Sequence, residues 1–184
     1  MGDGKQQNHG GGRDDAAISE GASPALADFA VALYAHDDVK RACLDAQDTF
    51  GADVNLLLWA AWQAHRGYAL SPSQVARADA LCEDWRAGVV QPLREQRRRW
   101  AGQASQAHLY DAVKALELQA EITQLAMLAE VDVGGVDVAK PGPEDAAALL
   151  SQNLAALATH WTLAGQALAP VANALVATGQ FVDT

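Results

Sequence analysis

Hydrophobic residues along most of the chain recur at the three- and four-residue spacing that is typical of amphipathic helices. Ser23 and Pro24 predict the start of a first helix, because serine caps a first turn and proline fits its first position. The apolar positions of this helix follow at Leu26, Phe29, Ala30, Leu33 and Tyr34. Residues 1–22 are polar and rich in glycine, so we expect a flexible tail there.

A glycine and an aspartate separate the next two predicted helices. Gly51 can end the second helix in the left-handed conformation, and Asp53 can cap the third. Residues 56–62 of the third helix are apolar on every side and include Trp59 and Trp62. We therefore predict that Asp53 is a structural cap and that both tryptophans lie in the core of a central, buried helix.

Two prolines mark the starts of further helices. Ser71 and Pro72 predict a fourth helix that runs to about Ala87. Pro92 predicts a separate, short fifth helix that carries the basic sequence REQRRRW. We therefore expect two helices that both begin at a proline.

The sixth predicted helix, at about residues 106–131, carries two apolar faces and a polar edge between them. One face consists of Leu109, Val113, Leu116, Ala120 and Met127, and the nearly opposite face of Leu118, Ile122, Leu125 and Ala129. The polar edge consists of Lys114, Glu117, Glu121 and Gln124. We expect burial on both apolar sides, with the polar residues forming a ladder at the solvent edge.

The predicted fold is an all-α, single-domain bundle of six to eight helices. Its helical domain spans residues 23–184, with a C-terminal helical extension at 143–178 that follows a loop rich in glycine and proline. No strand pattern competes with this interpretation. The chain has 184 residues, of which half are hydrophobic, and this length is sufficient for one substantial core.

The net charge of −10 disfavours nucleic acid and anionic lipid as partners, because phosphate binding needs an excess of lysine and arginine. The two cysteines, Cys43 and Cys82, lie in apolar stretches typical of buried thiols in a reducing compartment. The sequence alone leaves open whether they form a disulfide with each other. The N-terminal residues resemble neither a signal nor a transit peptide, and no apolar run is long enough to span a membrane. We therefore expect a cytoplasmic protein.

An arginine cluster is the clearest local departure from the acidic composition. Arg94, Arg97, Arg98 and Arg99 crowd the fifth predicted helix, and like charges one turn apart require a nearby anion. Internal partners would be Glu117 and Glu121, or Asp48; an external partner would be a phosphate, a nucleic-acid backbone or an acidic protein surface. The sequence predicts a polar network that is either structural or anion-binding: Arg94, Arg97, Arg98, Lys114, Glu117 and Glu121.

No catalytic residue can be named from a motif. No Glu-x-x-His pair supports a di-iron bundle, and DAQD lacks the longer aspartate-rich run of a magnesium-dependent isoprenoid synthase. The histidines fall on different predicted helices, and no serine stands in a Gly-x-Ser-x-Gly turn. We predict no metal and no cofactor, and leave open whether the protein is an enzyme.

Three ordered strings carry a family resemblance: LYAHDDVKRACLDAQDTFGADVNLLLWAAW, VVQPLREQRRRW and LYDAVKALELQAE. They are similar to the motifs LYA, CL.LQD..G.DVNLLL..W, V.PLR..RR and VK.LEL.AE of an uncharacterised proteobacterial domain of unknown function. The resemblance covers about residues 26–130 and implies no activity. The glycine-rich tail and the extension after Val131 depart from it.

Two functional hypotheses follow from the sequence. The first is a cytoplasmic helical module for protein interaction or regulation, with a protein partner and an undetermined oligomeric state. The alternative is an enzyme or small-molecule binder that holds an anionic ligand near Arg94, Arg98, Glu117 and Glu121. Closed ion pairs among these side chains would favour the first hypothesis, and an open cavity around them would favour the second.

Overall fold

The computed structural model describes residues 25–134 and 141–180, together with Met1. Its helices are α1 (Leu26–Tyr34), α2 (Asp37–Phe50), α3 (Val54–His65), α4 (Pro72–Trp85), a π-helical segment (Arg86–Val90), α5 (Gln91–Trp100), a 3-10 turn (Ala104–Gln106), α6 (Ala107–Ala129), α7 (Pro143–His160) and α8 (Ala169–Ala177). The described residues contain no strand. The predicted all-α, single-domain bundle is confirmed.

Helix α3 forms the centre of the bundle, as predicted from its uniformly apolar sequence. Every residue from Val54 to Ala64 is buried, including Trp59 and Trp62. The helix contacts α1, α2, α6 and α7, so it has neighbours on all sides. Gly51 provides the chain reversal that leads into α3, with a φ of 70° that residues other than glycine rarely adopt.

Helix α5 begins at Gln91, next to the predicted start at Pro92, but the prediction that it is separate from α4 is wrong. The backbone stays helical from α4 through the π-helical segment into α5, and Val90 and Gln91 both have right-handed helical dihedral angles. Of α4 and α5, α4 alone has a side-chain cap, in which Ser71 and Gln74 bond reciprocally. A π turn shifts the hydrogen-bonding pattern by one residue, and the chain therefore accommodates the missing N–H of Pro92 without a break.

The predicted cap of the first helix, Ser23 with Pro24, lies outside the described residues, as does nearly all of the predicted N-terminal tail. The described part of α1 follows Ala25, which makes no side-chain cap. Four buried side chains then face the core: Leu26, Phe29, Ala30 and Leu33.

The C-terminal helices belong to the same hydrophobic core as the rest of the bundle. Helix α7 packs against α3 and α4, and α8 packs against α2 and α7. Asn153 of α7 is fully buried, where its side-chain amide donates to the carbonyls of Ala60 and Tyr68 and its oxygen accepts from the Leu70 N–H. This one side chain therefore fastens α7 to α3 and to the turn that follows α3.

We expect Asn153→Ala to lower the free energy of unfolding by about 2 to 4 kcal/mol, because it removes three hydrogen bonds and leaves the buried Leu70 amide without an acceptor. Urea denaturation followed by circular dichroism measures this loss. The matched control is Asn173→Ala on α8, where asparagine is exposed and the change should stay within about 0.5 kcal/mol. Equal effects of the two substitutions would contradict the proposed role of Asn153.

Candidate functional site

Helix α6 presents a polar side to the interior, and the orientation predicted for it is wrong. Glu117 and Gln124 are only 5% and 1% exposed, whereas Leu116 and Leu118 are 56% and 53% exposed. The physical reason is that each buried polar group finds a partner on a neighbouring helix, which removes most of the cost of its burial. The candidate functional site is built on this inward polar side.

The arginines of α5 meet the carboxylates of α6. The Arg94 Nε lies 3.3 Å from Glu117 Oε1, and its Nη2 lies 2.7 Å from Glu121 Oε1. Arg97 donates to both oxygens of Glu117, one of them at 3.1 Å. Burial raises the pKa of Glu121, while the neighbouring Arg94 acts to lower it. Two arginines and two carboxylates therefore close a network between α5 and α6.

The other cations of the predicted cluster lie elsewhere. Arg98 forms an ion pair with Asp48 of α2 at 2.8 Å, and both side chains are more than half exposed. Lys114 is exposed on α6. Of the predicted set, the structure therefore brings Arg94, Arg97, Glu117 and Glu121 together and places Arg98 and Lys114 apart from them.

Asp53 is the centre of a second polar network. Its Oδ1 accepts from the Asn55 N–H at 2.9 Å, which is the geometry of an N-cap. Its Oδ2 accepts from Arg86 Nη1 at 2.8 Å and from Gln124 Nε2 at 2.6 Å. Gln124 in turn accepts from the Asn55 side chain at 3.1 Å. Asp53 therefore joins the start of α3 to the π-helical segment and to α6.

The same network continues to the C-terminal helices. Arg86 Nη1 lies 2.7 Å from Asp79 Oδ1 in an ion pair. Asp79 Oδ2 lies 2.8 Å from His160 Nε2 at the end of α7. The sequence patterns predicted no role for Arg86, Asp79 or His160. The one signal for Arg86 is that it continues, one turn later, the buried stripe of Ala78 and Cys82 on α4.

A cleft of about 270 Å³ lies where the two networks approach each other. Its charged lining consists of Arg86, Arg94, Arg98, Asp48, Asp53 and Glu95. These three cations and three anions balance, and each arginine already contacts a carboxylate. The cleft is also slightly smaller than the ~300 to 1,000 Å³ of common ligand pockets. Its charges therefore form ion pairs and leave no excess positive charge for an anion.

The two cysteines are free thiols with side chains buried in the core. Burial raises the pKa of Cys43 to about 12 and that of Cys82 to about 11. A thiol in this state is a poor nucleophile at neutral pH, because the thiolate is the reactive form. The described residues also contain no group of three or more side chains arranged to hold a metal ion.

Comparison with known proteins places the chain beside proteins of unassigned activity. A family model described as "Protein of unknown function (DUF2390)" matches residues 25–128. No curated protein and no solved structure matches the chain. Across residues 25–134 and 141–180, no helix has the length and apolar character needed to cross a membrane.

A double-mutant cycle with Arg97→Gln and Glu117→Gln should give a coupling energy of about 1 to 3 kcal/mol in urea denaturation, because Glu117 is buried against Arg97. The matched control is a cycle with Glu95→Gln and Arg99→Gln, an exposed pair 3.7 Å apart. Its coupling should stay below about 0.5 kcal/mol. Additive losses at Arg97 and Glu117 would contradict a closed network.

The raised pKa of Cys43 predicts an alkaline loss of stability. Since the thiol titrates at about 12 when folded and ordinarily at 9.0, its stabilising effect is present below pH 9 and is lost as the pH rises towards 12. Between pH 9 and 10, Cys43→Ala should lose about 1 kcal/mol less unfolding free energy than the unsubstituted protein. The measurement is urea denaturation of both proteins at pH 9 and at pH 10. Equal losses of unfolding free energy in the two proteins would contradict this prediction.

Proposed function

We propose that this chain, which belongs to the family described as protein of unknown function (DUF2390), is a cytoplasmic protein-interaction module. It binds its partner through the outer side of α6. The observation that carries this proposal is the exposure of three leucines on α6, Leu109, Leu116 and Leu118. Leu109 and Leu116, seven residues apart, lie on one edge of the exposed side of α6, and Leu118 lies on the opposite edge. Exposed large apolar side chains along one helix favour a protein interface there.

The outer side of α6 is apolar over much of its length. Apart from Lys114, the exposed residues between positions 112 and 126 are uncharged: Ala112, Ala115, Leu116, Leu118, Gln119, Thr123 and Ala126. Two other exposed apolar residues, Val31 of α1 and Leu81 of α4, stand on helices that contact α6. We call the surface formed by the exposed residues of α6 and by Leu81 the α6 outer face; Leu81 lies one turn before Trp85, whose Nε1 donates to the Ala120 carbonyl of α6.

The alternative of an anion-binding enzyme or receptor has weaker support. Arg94 is held by Glu117 and Glu121, and Arg98 by Asp48, so an incoming anion would have to compete with carboxylates already in contact. The buried thiols offer no nucleophile near neutral pH. A binding module needs neither an open charged site nor a reactive group, and the α6 outer face provides its apolar contact area.

The test uses the pair of substitutions Leu116→Glu and Leu118→Glu. Both side chains are exposed, so the fold should persist, whereas each lost apolar contact should cost an interface about 1.5 to 3 kcal/mol. Together they should weaken the dissociation constant at least ~100-fold. The measurement is calorimetric titration of the purified chain with the protein that co-purifies with it, including a differently tagged second copy.

Phe50→Glu is the matched control, because Phe50 is 43% exposed at the end of α2 and lies outside the α6 outer face. It should leave the dissociation constant unchanged. An unchanged constant in the double leucine variant would refute the proposed surface. So would a loss of binding caused equally by Phe50→Glu.

A further inference from the structure

We propose that the partner of the α6 outer face is a second copy of this chain, whose α6 packs antiparallel to the first about a twofold axis at Gln119. This inference rests on the proposed function, because it assigns an occupant to the same surface. The observation behind it is the order of residues along α6: when two copies of the helix run antiparallel, residues at equal distances before and after Gln119 face each other and are complementary. Such self-complementarity defines the contact between the two halves of a symmetric dimer.

The reversal brings matched positions together. Ala112 and Ala126 stand seven residues before and after Gln119, so each faces the other in the second copy. His108 and Glu130 stand eleven residues before and after it. Steps of seven and eleven residues both return to nearly the same side of an α-helix, and all five side chains are exposed.

The chemistry of these positions favours the antiparallel arrangement. Gln119 can pair with its own copy, because an amide both donates and accepts hydrogen bonds. His108 provides an imidazole donor for the Glu130 carboxylate at each end of the pair. A parallel arrangement in register would instead oppose Glu130 to Glu130, and like charges in that position repel each other.

The side chains around this line supply apolar contact at the required separation. The small side chains of Ala112, Ala115 and Ala126 allow two helices to approach closely, and Leu116 and Leu118 flank them on either side. With helix axes ~8 to 10 Å apart and Cα atoms ~2.3 Å from each axis, facing Cα atoms lie ~3.4 to 5.4 Å apart.

The available area meets the requirement of a weak to moderate dimer. Helix α6 has 23 residues and is ~35 Å long. At ~9 Å per helix, α6 and the neighbouring α4 together are ~18 Å wide, so their footprint is roughly 600 Å² per copy. Helix α4 lies antiparallel beside α6, with the Trp85 Nε1 bonded to the Ala120 carbonyl, and it adds Leu81 to the surface. Specific interfaces begin at about 1,200 Å² in total, which two copies reach.

Disulfide trapping tests the twofold axis directly. Gln119→Cys should form a covalent dimer on mild oxidation, because a residue on the axis faces its own copy within the Cα separation that a disulfide requires. Ala112→Cys alone should give no such dimer, but it should cross-link when mixed with Ala126→Cys. The native Cys43 and Cys82 are fully buried and serve as the internal background.

Sedimentation equilibrium supplies the independent measurement on the purified chain alone. We expect a reversible dimer of twice the 19.3 kDa chain, with a dissociation constant raised at least ~100-fold by Leu116→Glu with Leu118→Glu and unchanged by Phe50→Glu. A chain that stays monomeric at every concentration up to about 1 mM would overturn the inference, because specific dimers have dissociation constants below that value. Cross-linking of Ala112→Cys with itself would do the same.

These results separate the inference from the proposed function. If the purified chain stays monomeric while the leucine substitutions still weaken binding to a different co-purified protein, the second copy is the wrong occupant and the α6 outer face remains the binding surface. If the leucine substitutions affect neither association, both proposals fail.

Discussion

A buried carboxylate has to be paired, and the pairing of Glu117 determines which side of α6 faces the core. Its contacts with Arg94 and Arg97 exist only when α6 turns its polar side inward against α5. In that orientation Gln124 reaches Asp53, which lies three helices earlier in the chain. Breaking one partner of such a pair costs far more than an exposed ion pair contributes, so these contacts specify one rotation of α6 about its axis.

Asp53 extends this constraint beyond α6. One carboxylate caps α3, holds Arg86 of the π-helical segment and accepts from Gln124. Through Arg86 and Asp79 the contacts reach His160 at the end of α7. The family match ends at residue 128, yet α7 packs closely against α3 and α4. The C-terminal helices are therefore part of the structure that holds these polar contacts.

The sequence predicts mainly the features that depend on neighbouring residues, although its crowded arginines also indicated Glu117 and Glu121 as candidate partners. The buried α3 follows from its apolar run, and the turn at Gly51 follows from the freedom of glycine at positive φ. The rotation of α6 depends on Arg94 and Arg97, about 20 residues away, and hydrophobic periodicity contains no information about such partners. Arg86 was missed for the same reason, since its partner Asp53 lies 33 residues earlier. Helix type is thus a local property here, whereas its orientation is not.

The inward rotation of α6 has a consequence for its outer side. Burying Glu117 and Gln124 leaves Leu116 and Leu118 in solvent, one on each edge of the exposed side of α6. In an isolated chain this exposure forgoes roughly 1.5 to 3 kcal/mol for each leucine that could have been buried. The exposure is compensated if another apolar surface covers the leucines. The polar interior of α6 and its proposed role in binding are therefore two consequences of one helix rotation.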